Sequence, residues 1–190
     1  MTALQAVAPK PGPRSNLFDR DLLYLFSFDA DVEMRRDEIG FVPGGVRMNV
    51  LAKPDKTRVY HLERERSTLG FQSVQGTIAA GVDRIFFRED DVGIVNVQLT
   101  IETDDDAIIH STYEGVFAAG PRGYRKLISK KPRLGSEKVP FPARACIVPR
   151  FETSAPKYRW LTQYQCVGFA TVTVIDSVVR AVSGDIYAMD

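Results

Sequence analysis

Three titratable side chains of this sequence have chemistry suited to moving a proton near neutral pH. His110 and Glu114 lie four residues apart in an alternating segment, and Asp83 follows a segment rich in small residues. An imidazole titrates near neutrality and a carboxyl removed from water has a raised pKa, so each can act as a general acid or base. The competing interpretations are a solvent-facing histidine and, for Glu114, an ordinary cross-strand pair with Asn96.

Other side chains are better suited to holding a small molecule. Arg47 follows two glycines, and its planar guanidinium can bind a ligand carboxylate or phenolate, or form a structural ion pair with Asp83. Asn96 can orient a ligand oxygen. The aromatic side chains that can wall a pocket, or simply pack in a core, are Tyr113, Trp160, Tyr164 and Tyr187.

The positions of these candidates depend on residues 92–118, whose pattern predicts two strands joined by an acidic turn. Apolar and polar residues alternate over 95–102, which is the period of a strand with one buried face. A turn at 104–106 sets the register. It places Ile101 opposite Ile109 and Val97 opposite Tyr113 on the apolar face, and Thr100 opposite His110, Gln98 opposite Thr112 and Asn96 opposite Glu114 on the polar face. Whether the polar row faces solvent or lines a cavity stays open, and any function of His110 and Glu114 depends on it.

Alternating and β-branched segments recur along the rest of the chain. They predict strands at 24–34, 46–51, 58–62, 71–80, 162–175 and 178–188, with a turn at 53–56. This pattern indicates an all-β sandwich or barrel, and closure into a barrel would leave no exposed strand edge. Residues 1–20 are expected to form a flexible tail, 21–190 a single domain, and 119–149, with their many prolines, an irregular insertion.

Composition argues against several classes of function. The formal net charge is +1, so we expect no nucleic-acid partner. Two cysteines and two histidines without a Cys/His cluster indicate no metal site, and both thiols are expected to be reduced. The sequence has no glycine-rich phosphate loop and no nucleophile elbow, so we expect no cofactor. No long apolar run or signal-peptide core occurs, which favours a cytoplasmic protein without a membrane partner.

A set of short motifs occurs in a fixed order between residues 22 and 188. The set is PGGVR at 43–47, GTIAAGVD at 76–83, TDDDAII at 103–109, PRFET at 149–153, YRWL at 158–161, Val167-Gly168, and Asp185-Ile186-Tyr187. In order and spacing it resembles the bacterial and fungal family called domain of unknown function 3237. The resemblance implies a single antiparallel, calycin-like β-barrel with a central pocket, often in a homo-oligomer. The family has no general established activity, so the resemblance implies the fold better than the function.

The chain departs from the pattern of that family on its central strand. Asn96, Gln98 and Leu99 stand where such proteins often have Asp, Arg and Tyr, and Asp106 stands where they usually have Gly. The resemblance therefore implies that a pocket lined by these positions has different chemistry in this chain.

Together these observations predict a single antiparallel β-barrel of about 8–10 strands that binds a small apolar, aromatic or polyketide-like molecule. The favoured function is cofactor-independent acid–base chemistry by an isomerase, cyclase or lyase. His110, Glu114 or Asp83 would transfer the proton. The alternatives are a non-catalytic ligand-binding or carrier barrel and a structural subunit whose segment 120–149 contacts a partner.

Overall fold

The computed structural model describes residues 22–62, 73–128, 141–175 and 178–189. Eight antiparallel strands pair in chain order, and the last pairs with the first to close a barrel. They are β1 (Leu22–Val42), β2 (Gly45–Tyr60), β3 (Gly76–Arg88), β4 (Val92–Thr103), β5 (Ile108–Ala118), β6 (Phe141–Glu152), β7 (Gln165–Ile175) and β8 (Val178–Met189). Helix α1 (Gly123–Ile128) follows β5, and a 3-10 helix (Pro156–Gln163) follows β6. The predicted all-β barrel is confirmed.

The hairpin of β4 and β5 has the predicted register, with Ile101 opposite Ile109. Its turn is closed by Thr103, whose backbone N–H donates to the carbonyl of Ala107 at 2.9 Å and whose hydroxyl accepts the N–H of Ala107 at 2.9 Å. Asp106 adopts φ 63°, a left-handed conformation that aspartate tolerates better than most residues.

The apolar row of this hairpin faces the barrel interior. Val95, Val97 and Ile101 are buried, whereas Asn96 and Gln98 are exposed. The hypothesis that the polar row lines a cavity is therefore wrong. The interior of an eight-stranded barrel is narrow enough for side chains to fill, and a row of polar groups there would lose its hydrogen bonds to water without replacement.

Strand β2 runs through the turn predicted at 53–56. The chain bulges there, because the pairing with β3 shifts register between Leu51 and Val59. Thr57 secures the bulge, since its hydroxyl accepts the backbone N–H of Ile78 at 2.8 Å and donates to the carbonyl of Pro54 at 3.1 Å. A side-chain hydroxyl thus replaces ladder hydrogen bonds that a proline-containing strand cannot make.

Residues 119–149 were predicted to form an irregular insertion. That prediction is wrong at both ends of the segment, which are the parts of it that the structure describes. Residues 123–128 form α1, and β6 begins at Phe141. Pro149 lies beyond the last β6–β7 pair, Ile147 with Gly168, where a strand residue without an N–H is tolerated. Residues 129–140 of the predicted insertion, and the tail predicted at 1–20, lie outside the described residues.

Aromatic and aliphatic side chains close one end of the barrel beneath α1. The ring of Phe87 stacks on that of Phe117 at 5.1 Å and contacts that of Tyr124 at 5.8 Å, and Leu127 is buried. Asp91 holds the start of α1, because its carboxylate accepts the backbone N–H of Tyr124 at 2.8 Å. Helix α1 therefore covers this end of the barrel and is fixed to the β3–β4 turn.

The 3-10 helix covers the opposite end. Its Tyr158 and Leu161 are buried, and Asp105 in the β4–β5 turn ties the helix down. Asp105 accepts hydrogen bonds from Lys157, from the hydroxyl of Thr103 at 2.7 Å and from the hydroxyl of Tyr158 at 2.8 Å. These donors, with Lys157 foremost, hold the pKa of the Asp105 carboxyl below its ordinary value.

Position 93 has space only for glycine, because the ring of Phe117 lies against it. A Cβ atom at Gly93 would lie 1.8 Å from the Phe117 ring, which cannot retreat because it stacks on Phe87. We expect Gly93→Ala to lower the free energy of unfolding by about 1–3 kcal/mol, measured by urea denaturation. Gly81→Ala is the control, since its Cβ would meet no atom nearer than 3.3 Å. Equal losses in both variants would contradict this account.

Candidate functional site

Two small cavities lie inside the barrel. One has a volume of about 30 Å³ and the other of about 40 Å³. Phe28, Tyr113 and Ile147 border both cavities and separate them. Each accommodates about two or three water-sized groups, well below the several hundred Å³ typical of pockets that enclose a drug-sized molecule. The walls are apolar, so the few polar groups that reach these cavities set their chemistry.

Asp83 is the carboxyl group that faces the larger cavity. It lies on the inward row of β3, opposite Val50 on β2 and Val97 on β4. Its Oδ1 atom is buried and has no hydrogen-bond partner among the described residues. Burial raises the pKa of Asp83 to about 7, although the backbone N–H of Asn96 lowers it in part. Asp83 therefore exchanges a proton near neutral pH.

Tyr113 projects from β5 into the layer between the cavities. It pairs with Val97 on one side and Pro149 on the other, and its side chain packs, partly buried, against the core. Burial raises its pKa well above the ordinary value, and the charge of Asp83 raises it further. The phenol consequently stays neutral and keeps its O–H as a hydrogen-bond donor.

Ser111 is a polar group of the interior that sequence reasoning missed. It is buried on β5, two residues before Tyr113, and lines the smaller cavity. The sequence contained a signal for the inward position of Ser111, because the hairpin register places Ser111 opposite Leu99 on the apolar face. Its hydroxyl and the phenol of Tyr113 lie on the same inward row.

The structure does not bring His110 and Glu114 together with Asp83. Both belong to the outward row of β5, where His110 is half-buried and Glu114 is exposed. The Glu114 carboxylate accepts a hydrogen bond from the side-chain amide of Asn96 at 3.1 Å. The cross-strand pair, the simpler of the two interpretations, is the arrangement found, and neither His110 nor Glu114 can act on a molecule inside the barrel.

Arg47 and Asp83 do not form the predicted ion pair. Arg47 is exposed on the outer face of β2, and its guanidinium lies 4.7 Å from the centre of the Phe86 ring. Residues 47 and 83 occupy opposite faces of the sheet, because Arg47 pairs with Phe86 while Asp83 pairs with Val50. A role for Arg47 in binding a ligand inside the barrel therefore has no geometric support.

The other three aromatic candidates lie away from the cavities. Trp160 and Tyr164 pack, partly buried, against the core where the 3-10 helix covers the barrel. Tyr187 contacts the rings of Tyr24 at 5.8 Å and Phe169 at 6.1 Å. None of the three lines either cavity.

No group of three or more metal-binding side chains occurs among the residues that the structure describes. Cys146 is exposed, Cys166 is buried, and both are free thiols. Neither helix of the described chain has the length and apolarity needed to cross a bilayer.

A family model for proteins of unknown function, DUF3237, matches residues 43–187. The chain belongs to this family. The resemblance drawn from its short motifs is thereby confirmed. A UPF0311 protein from Rhodopseudomonas palustris is 32% identical over 90 residues, which are 47% of this chain and 56% of that protein. The match thus spans little more than half of the relative.

Solved structures share the barrel fold of this chain at low sequence identity. The crystal structure of the R. palustris protein has a TM-score of 0.65 and 21% identity, covering 90% of this chain and 98% of that one. A beta-barrel like protein from Acinetobacter baumannii has a TM-score of 0.62 and 22% identity, covering 95% and 99%. An enzyme from Penicillium herquei has a TM-score of 0.53 and 15% identity, covering 97% and 100%. At such identities the likeness shows the fold alone.

Proposed function

We propose that this DUF3237 barrel catalyses a cofactor-independent acid–base reaction on a small, largely apolar carbonyl compound held in its interior. The observation that carries the proposal is the carboxyl of Asp83, buried in an apolar wall without a partner for Oδ1 and directed at a cavity. Such a group lowers the stability of the fold, and perturbed ionisable groups of this kind concentrate at functional sites.

Asp83 and Tyr113 have complementary roles in this mechanism. The Asp83 carboxylate takes a proton from the carbon next to the substrate carbonyl, and the C–H electron pair moves onto the carbonyl oxygen. The neutral phenol of Tyr113 donates a hydrogen bond to that oxygen as negative charge develops. A pKa of about 7 suits Asp83 both to accept the proton and to return it at neutral pH.

Removal of the proton leaves an enolate, and the next step of this enolate distinguishes three reaction classes. Return of the proton to a different carbon isomerises the substrate, and expulsion of a group from the adjacent carbon makes the reaction that of a lyase. Attack on a second carbonyl of the same molecule, followed by protonation of the new alkoxide, makes it a cyclase. Each uses one group that shuttles a proton and one hydrogen-bond donor, so none requires a cofactor.

The lining of the interior supports an apolar, aromatic or polyketide-like substrate. Phe26, Phe28 and Phe151 face the smaller cavity, and aliphatic side chains complete its wall. A substrate larger than a few atoms must shift Phe28, Tyr113 or Ile147, because these side chains separate the two cavities. Binding is therefore expected to join the cavities into one.

Exchange of carbon-bound hydrogen with solvent tests this proposal directly. Aryl methyl ketones and β-diketones are incubated with the protein in D2O, and NMR follows deuterium entering next to the carbonyl. We expect Asp83→Asn to slow exchange by about 10²–10⁴-fold. Glu114→Gln, on the outer face of the barrel, should exchange at the wild-type rate. Compounds that bind the wild-type protein but never exchange would favour a carrier and overturn the catalytic proposal.

A further inference from the structure

The backbone pairing of β2 with β3 is interrupted in the middle of the barrel wall. Pairing stops and then resumes, and the flanking pairs are Leu51 with Val82 and Val59 with Gly76. Residues 52–58 of β2 and 77–81 of β3 therefore face one another without ladder pairs. We call this region the β2–β3 gap. Side chains, instead of a backbone ladder, close the wall there.

Both strands leave the regular sheet at the β2–β3 gap. In β2, residues 53–56 loop out between Ala52 and Thr57, the flanking positions that still pair with β1. In β3, the register with β4 shifts between Ile78 and Ala80. Two neighbouring strands thus lose their regular geometry at the same level of the barrel. Bulges that end pairing in this way are over-represented next to active sites.

A hydroxyl group and small side chains hold the β2–β3 gap closed. The hydroxyl of Thr57 accepts the backbone N–H of Ile78 at 2.8 Å. Towards the Leu51 end of the gap, the methyl group of Ala52 lies 3.3 Å from the position that a Cβ atom on Gly81 would occupy. Because backbone hydrogen bonds are missing between these two contacts, this part of the wall is weaker than a continuous ladder.

The β2–β3 gap lies beside the buried carboxyl group of Asp83. Gly81 and Asp83 are successive inward positions of β3, about 7 Å apart along the strand. Ile78 and Leu99, whose side chains lie 3.5 and 3.3 Å from that Cβ position on Gly81, line the smaller cavity. A molecule that passes through the gap therefore arrives at the smaller cavity, with Asp83 directly next to it.

Large buried side chains cover both ends of the barrel. Phe87, Phe117 and Leu127 lie beneath α1 at one end, and Tyr158 and Leu161 of the 3-10 helix lie at the other. None of these five side chains is more than 4% exposed. Opening either end would expose their apolar surface to water, whereas opening the gap separates small side chains and one hydroxyl. By this comparison, the gap costs less free energy to open than either end.

We propose that the β2–β3 gap is the entrance through which a small, flat carbonyl compound reaches Asp83. Release of the Ile78 N–H by the Thr57 hydroxyl frees residues 53–58 to move outward. Since the opening is narrow, it admits a planar aromatic or conjugated molecule more readily than a branched one. This inference rests on the proposed function, which assigns the ligand to the interior of the barrel.

A reversible disulfide across the β2–β3 gap tests the entrance. Ala52→Cys with Gly81→Cys places two Cβ atoms 3.3 Å apart, slightly closer than the roughly 3.8 Å of most disulfides. The exposed Cys146 is replaced by serine in this protein so that it cannot exchange with the new bond. The same sample is compared after oxidation and after reduction, and NMR line shapes give the association and dissociation rates of acetophenone.

We expect oxidation to slow association and dissociation of acetophenone equally, by at least about tenfold, and reduction to restore both rates. An equal effect on both rates leaves the Kd unchanged, which separates a blocked entrance from a damaged binding site. Rates that oxidation does not change would overturn the proposal, as would acetophenone that does not bind the reduced protein. A blocked entrance with no deuterium exchange in the reduced protein would uphold the gap and reject the catalytic proposal.

A second disulfide provides the matched control. Gln98→Cys with Thr112→Cys, in the same Cys146→Ser protein, joins directly opposite residues on the outer face of the paired β4–β5 hairpin. This bond stiffens the wall away from the gap, so acetophenone should bind at the same rates before and after reduction. Slowing by both disulfides alike would show that general stiffness, not the gap, limits binding.

Thr57→Val tests the side chain that holds the gap closed. Valine keeps the shape of threonine but cannot accept the N–H of Ile78, so acetophenone should associate and dissociate about tenfold faster than in wild type. Thr57→Ser keeps the hydroxyl and should have wild-type rates. Wild-type rates in a folded Thr57→Val protein would contradict this role of Thr57. The disulfide comparison, which leaves Thr57 in place, decides the question if Thr57→Val does not fold.

Discussion

Asp83→Asn is expected to raise the free energy of unfolding at pH 8 by roughly 2–4 kcal/mol, although it should slow the proposed reaction. Burial raises the pKa of Asp83 to about 7 from its ordinary 3.8. Above that value the folded wild-type barrel must hold a carboxylate in an apolar wall, whereas the unfolded chain exposes it to water. A neutral amide of similar size avoids most of that cost.

The upward shift of the Asp83 pKa determines how the stability difference between Asp83→Asn and wild type changes with pH. The folded state binds the Asp83 proton more tightly than the unfolded state, so this group destabilises the fold progressively as pH rises from about 4 through about 7. Urea unfolding at pH 5, 6, 7 and 8 should therefore show a gap between Asp83→Asn and wild type that widens with pH. Asp55→Asn, at an exposed position on β2, should show no such trend. A gap that stays constant from pH 5 to 8 would refute the assignment of a buried, titrating carboxyl.

Tyr113→Ala is expected to lower the free energy of unfolding by about 3–5 kcal/mol. Its ring occupies the layer between the two cavities, so removal leaves one larger void among Phe28, Ile147 and their neighbours. Packing around a closed barrel cannot collapse freely onto such a void. Thermal unfolding with and without phenol measures the effect, because a ligand that refills the void should raise the Tm of Tyr113→Ala more than that of wild type.

Tyr113→Phe separates the hydroxyl of this residue from its ring. It keeps the packing, so its stability should stay close to that of wild type, while deuterium exchange should fall by about 10²–10³-fold if the phenol stabilises the enolate. A Phe variant that exchanges as fast as wild type would assign Tyr113 to packing alone. An Ala variant as stable as the Phe variant would contradict the packing role.

The register of the central hairpin was predictable because two local signals agree. Strict alternation over 95–102 fixes which residues share a face, and the short turn fixes which positions pair. The same logic indicates the orientation of Asp83, which lies two residues before Ile85 and four before Phe87. Residues at even spacing along a strand share a face, so Asp83 belongs to the same inward row as these apolar residues, where the structure places it.

The sequence left open which way the polar row faces, and the favoured function required that row to line the interior of the barrel. In this chain the interior is largely filled by the apolar row, so the residues that alternate with it, including His110 and Glu114, must point outward. The bulge in β2 was missed because Pro54 signals a turn locally, whereas the compensating hydroxyl of Thr57 bonds to Ile78, which is distant in sequence.

Strand β1 pairs with β8, beginning with Leu22 opposite Met189, and this pairing closes the barrel. The contact between β1 and β8 is the seam of the barrel. Among the described residues, every strand of the barrel therefore has a neighbour on both sides, which removes the open sheet edge that a neighbouring chain could extend by strand addition. Fibril formation or strand exchange would require this seam to open first. The rate of aggregation should then follow how often β1 and β8 separate, so a disulfide across that seam should slow it.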